Sequence, residues 1–137
     1  MSVKVNLQEN LFWNALADGN YKLVQTYLAS GWNIDRKNEK GWNAIIIATF
    51  NHQYRIVEML LENGADINST NQNGTSVLMY AKTKVIVNRN FDFLQYLIDR
   101  GANVNLIDQK NGCTVLDYVK VLGDIEMINF FKKNGAI

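Results

Sequence analysis

Four glycines mark time along this chain. Gly31, Gly64, Gly101 and Gly135 stand 33, 37 and 34 residues apart. Upstream of each lies the same apolar pattern: Leu23, Val24, Tyr27 and Leu28; Ile56, Val57, Leu60 and Leu61; Phe93, Leu94, Leu97 and Ile98; Met127, Ile128, Phe130 and Phe131. Positions i, i+1, i+4 and i+5 in the first three sets, and i, i+1, i+3 and i+4 in the last, share one face of a 3.6-residue helix. A second marker keeps the same period. Asn38-Glu39-Lys40-Gly41, Asn71-Gln72-Asn73-Gly74 and Lys110-Asn111-Gly112 are turn sequences, each followed by a short apolar run. A unit this short cannot bury its own apolar face, so its neighbours must stack on it to make one core.

Turn, helix, turn, helix and Gly-Ala at a period near 33 resemble the ankyrin repeat, and the resemblance runs from Gln8 to Ile137. It implies an all-α repeat solenoid of four stacked helix-turn-helix units, with short β-hairpin-like turns between them. The units fall at about 6–37, 38–70, 71–107 and 108–137, and together form a single domain. The family's Thr-Pro-Leu-His signature is replaced by Asn43-Ala44-Ile45-Ile46, Ser76-Val77-Leu78-Met79 and Thr114-Val115-Leu116-Asp117. The capping group survives as Asn43, Ser76 and Thr114, while the proline that eases entry into the helix is lost. Ala48 and Ala81 keep a small residue inside the unit, and Val119 enlarges it. The first unit is expected to pair helices at 8–17 and 21–30 without a hairpin, and the last helix to run over 124–133. Gly19, His52 and Gly123 fall between paired helices, where a left-handed backbone is convenient. Ala48 to Val57 is nine residues and Ala81 to Leu94 thirteen, so four extra residues lie within 82–91. Insertions in repeats map to loops, often on the binding face. One further residue lengthens the turn before Gly112.

Composition narrows the chemistry. Fourteen Lys and Arg against thirteen Asp and Glu give a net charge of +1, no footprint for general nucleic-acid or anionic-membrane binding. The single Cys113 excludes an intramolecular disulfide and a multi-Cys zinc site, and the one His52 a His-rich metal site. Cys113 falls in a turn and His52 between helices of another unit, so they make no nucleophile–base pair. Phosphate loops, paired-His helices and acidic calcium loops do not occur. No catalytic residue, cofactor or metal is expected. Residues 1–6 alternate in polarity instead of forming an apolar signal core. The apolar run around Ala44–Ala48 falls short of the ~20 residues of a bilayer span. The expectation is a cytoplasmic, monomeric, non-enzymatic protein.

The family resemblance implies that a partner protein docks on the concave face, on hairpin tips and the open side of the inner helices. Carried over by position, it points to Glu39, Lys40, Trp42, Phe50 and Asn51 in the second unit. The third contributes Gln72, Asn73, Thr75, Thr83 and Lys84, and the fourth Lys110, Cys113, Lys120 and Val121. Two readings of Trp42 stand: a binding hot spot at the tip, or a ring folded down over the first unit, which has no hairpin. Phe50 divides between packing and partner contact. Trp32, Tyr80 and Tyr118 read as core, and Trp13, which aligns beside Ile46, as half-exposed. Lys82, Lys84, Arg89, Lys110 and Lys120 gather in the last two units, either as a solvated edge or opposite an acidic partner surface. For a small free-standing chain of bacterial type the resemblance implies a stoichiometric inhibitor or an immunity protein. An adaptor bridging other proteins is the alternative, and nucleic-acid binding through the basic half a third that the balanced charge disfavours.

Overall fold

The computed structural model describes residues 3–137, with side chains from residue 7 onward. Residues 1–2 and the side chains of 3–6, part of the signal-peptide expectation, lie outside the described residues. The chain divides into two compact units, Met1–Asp66 and Ile67–Ile137. The first holds α1 (Val3–Asp18), α2 (Tyr21–Ala29), α3 (Ala44–Phe50) and α4 (Tyr54–Glu62). The second holds α5 (Val77–Asn88), α6 (Phe91–Asp99), α7 (Val115–Leu122) and α8 (Ile125–Lys133).

Helix starts follow from side-chain capping. Asn43, Ser76 and Thr114 accept the amides of Ile46, Met79 and Asp117 at 3.2, 3.2 and 3.1 Å. Asp117 returns the bond by accepting the Thr114 amide at 3.0 Å, which completes a capping box. Asn20, Asn90 and Asp124 cap the second helix of their pairs in the same way. Gln53 instead donates its side-chain amide to the Ala17 carbonyl at 2.8 Å, tying the α3–α4 joint to the end of α1. The four joints within pairs turn through a left-handed residue: Gly19, His52, Arg89 and Gly123, with φ of 83°, 61°, 58° and 71°. His52 therefore takes the backbone role expected of it, and Arg89 is a fourth such residue.

The core of the first unit centres on Phe12, which is fully buried with ring centroids of Trp32, Tyr27 and Trp13 at 4.9, 5.2 and 5.3 Å. Ile45, Ile46, Ala48, Ile56, Val57 and Leu60 continue it between α3 and α4. In the second unit Leu78, Ala81, Val85, Phe93, Leu94 and Leu97 pack between α5 and α6, and Leu116, Val119, Met127 and Phe131 between α7 and α8. Within the second unit, asparagines bind the loops that follow successive helix pairs. Asn68 donates to the Gly101 carbonyl and accepts from the Asn103 amide, and Asn105 does the same to Gly135 and Ile137.

The extra residues after Ala81 do not form a loop. They continue α5 to 12 residues where α3 has 7. Val85, 1% exposed, anchors the added turn in the core. Arg89 then closes it, pairing with Asp124 at 2.5 Å and Glu126 at 2.9 Å. The extra residue before Gly112 is where it was expected. The turns close from Asn38 to Trp42 and from Asn71 to Thr75, but from Asp108 to Cys113.

Candidate functional site

Each turn is organised by one side chain at its start. Asn38 Oδ1 accepts the amides of Lys40 and Trp42 at 2.9 and 3.0 Å. Asn71 Oδ1 accepts those of Asn73 and Thr75 at 2.8 and 2.9 Å, while its amide donates to the Tyr80 hydroxyl. Asp108 Oδ1 accepts from Asn111 and Cys113, both at 3.1 Å. These bonds satisfy the inner backbone amides and leave the tips outward. Glu39, Lys40, Gln72, Asn73 and Lys110 are exposed there, and Thr75 is half-buried. The Gln109 amide donates to the Asn73 carbonyl at 2.8 Å, joining the two tips of the second unit. Glycine at position 74 permits that approach: a Cβ there would lie 3.0 Å from the Gln109 nitrogen.

In the first unit Trp42 is half-buried, its ring 5.3 Å from that of Phe50, also half-buried. Lys40 places its ammonium 5.5 Å from the Trp42 ring centre. Three of the sequence-selected residues thus converge. Asn51 serves the backbone, donating to the Ile47 carbonyl at 2.8 Å at the end of α3. An open groove of about 670 Å³ runs between α1 and the segment 36–40, with Trp13, Glu9, Arg36, Lys37 and Lys40 along it. Trp13 is half-buried, as its alignment indicated. Arg36 ion-pairs with Glu9 and stands 5.4 Å from the Trp32 ring centre. Sequence reasoning missed Glu9, Arg36 and Lys37, because no motif signals that α1 faces this segment.

In the second unit Lys82 is half-buried with its ammonium 5.1 Å from the Tyr118 ring centre, and burial lowers its pKa below the ordinary lysine value. Lys84 is half-buried and Lys120 exposed. Cys113 Sγ lies 3.5 Å from the Asn111 carbonyl, and His52 Nδ1 lies 3.3 Å from the Tyr54 hydroxyl, so each has a local contact in its own unit. Among the described residues no group of three or more His, Cys, Asp or Glu is placed to hold a metal ion. No helix among them is long and apolar enough to cross a membrane.

Of the three side chains that organise the turns, Asn38, Asn71 and Asp108, only the last is an acid. It is 4% exposed. Burial alone would raise its pKa, but hydrogen bonds from the Tyr118 hydroxyl and from the amides of Cys113, Asn111 and Gly112 outweigh burial and hold the carboxyl below its usual range. A depressed folded-state pKa contributes stability above the unfolded value of about 3.9, lost as pH falls through the folded value. Asp124 behaves alike, held down chiefly by Arg89. Asp108→Asn keeps the amide-accepting oxygen that Asn38 and Asn71 use, and removes the charge. Thermal melts of the variant are therefore expected to lose less stability below about pH 4 than the parent does. An unchanged acid limb would show that Asp108 contributes nothing to it.

A family model of ankyrin repeats, in three copies, matches residues 11–108. No curated protein matches the chain significantly. Capped helix pairs, turns built on Asn or Asp, and a family match over most of the sequence converge, and the chain belongs to the ankyrin repeat family, whose repeats mediate protein–protein binding and are generally non-enzymatic.

Proposed function

We propose that the chain is a stoichiometric inhibitor of the immunity-protein kind, a cytoplasmic monomer that blocks a partner protein by covering its surface. The carrying observation is the cluster of Lys40, Trp42 and Phe50 beside a hairpin tip and an open groove. Aromatic anchors flanked by cations are the side chains that dominate binding energy. Trp42 and Phe50 are the anchors, with Glu39, Lys40 and Asn51 around them. Gln72, Asn73, Thr75, Lys82, Lys84, Lys110 and Lys120 serve the second unit, where the lysines suit an acidic partner surface. The helix pairs α1–α2, α3–α4, α5–α6 and α7–α8 support repeats at about 6–37, 38–70, 71–107 and 108–137.

The test is capture of the partner by the whole chain, followed by titration of the partner's activity. Loss of that activity at one-to-one mixing supports inhibition. A ternary complex with two proteins bound and active would make the chain an adaptor instead. Capture of DNA or RNA, with affinity falling steeply with salt, would overturn the protein-binding role.

A further inference from the structure

The second unit carries a pocket of about 370 Å³ with mostly apolar walls, between α5 and α7. Tyr118, Val121 and Leu122 line it from α7, Lys82 from α5, and Cys113 from the turn before α7. Its apolar residues are open to solvent, Val121 at 88% and Leu122 at 57%. Exposed aliphatic side chains grouped around a concavity mark a surface that gains from being covered.

Lys82 says what kind of group should cover it. Its ammonium has lost part of its water, and what replaces the water is the Tyr118 ring and a long contact of 3.4 Å to the Thr83 hydroxyl. Among the described residues no ion pair involves Lys82. Asp117, also at the rim, already accepts the Thr114 amide in the capping box. Lys82 is ion-paired neither to Asp117 nor to the Asp108 carboxylate that holds the Tyr118 hydroxyl, and an incoming carboxylate that reached its ammonium would form a charge-assisted bond there. The apolar walls would at the same time take a large side chain next to it. The two demands meet in one kind of peptide.

We infer that this pocket docks an acidic segment of the partner protein, seating a Leu, Ile or Phe side chain against Tyr118, Val121 and Leu122 and a neighbouring Asp or Glu on Lys82. The inference rests on the protein-binding role and specifies the partner's chemistry at one place.

Random peptides displayed on phage and selected on the whole chain test it. The expected result is enrichment of Asp or Glu beside Leu, Ile or Phe. A synthetic peptide of that sequence should bind about tenfold more weakly to Lys82→Met, which keeps the packed stem and removes the charge. Val121→Asp alters a solvated position without touching the core, and should weaken the same peptide by setting like charge against its carboxylate. Enriched peptides without an acidic residue, equal binding to both variants, or no enrichment would each overturn the assignment. The broader role is judged separately: a partner still captured by Lys82→Met and lost by Trp42→Ala leaves protein binding standing and removes the pocket.

Discussion

Phe12→Ala is expected to lower the stability of the first unit by about 3–5 kcal/mol, the range for truncating a fully buried phenylalanine. Phe12 has no exposed surface, and the rings of Trp32, Tyr27 and Trp13 all lie within 5.3 Å of its own. Its removal opens a cavity and also loses three aromatic contacts, each worth about 0.5–1.5 kcal/mol beyond area burial. The surrounding rings cannot close the gap easily. Tyr27 is held by its hydroxyl on the Gln8 carbonyl at 3.1 Å, and Trp32 lies under Arg36, itself paired with Glu9. Since domains are typically stable by only about 5–15 kcal/mol, such a loss is a large share. Urea unfolding followed by tryptophan fluorescence measures it directly, with Phe12→Leu as the milder companion. A loss under about 1 kcal/mol would mean that the cluster is loosely packed and that Phe12 is not its centre.

Trp42→Ala is expected to weaken partner binding by thirtyfold or more. The figure follows from a hot-spot loss of at least ~2 kcal/mol at ~1.4 kcal/mol per decade. The ring is half-buried against Phe50 and under the Lys40 ammonium, so it is already ordered and loses little side-chain freedom on binding. The same packing means that truncation should also cost about 1 kcal/mol of folding stability, leaving the native state intact. Lys84→Glu should act differently, slowing association and changing its salt dependence more than the off-rate. Surface-plasmon kinetics at two salt concentrations separate the two. Normal binding by Trp42→Ala, with binding abolished by Arg55 or Glu62 substitutions on α4, would move the interface to the outer helices.

Much of the architecture was legible because it is periodic and local. A glycine and an apolar helical face recurring near every 33 residues identify the repeat without its usual signature. Asn43, Ser76 and Thr114 announced helix starts because a cap acts on an amide three residues away. His52 was legible as a left-handed joint only by alignment with Gly19 and Gly123. Residues 82–91 misled for a physical reason. Four inserted residues can loop out or prolong a helix, and a core contact at Val85 chose the helix.

The candidate site was legible in its parts and not in its assembly. Trp42 and Phe50 were readable as an aromatic at a turn tip and a neighbouring aromatic on the inner helix, and the structure brings their rings to 5.3 Å. Arg89 with Asp124, 35 residues away, and Lys82 with Tyr118, from another helix pair, have no signal in a single sequence. Nor has the groove where α1 meets the segment 36–40. The sequence by itself determined the repeat, the helix caps and the turn residues, since these depend on hydrogen bonds and helical faces spanning a few residues. Which charge meets which ring, and where the surface is hollow, was decided only by tertiary packing, because those distances are set by neighbouring helices and not by neighbours along the chain.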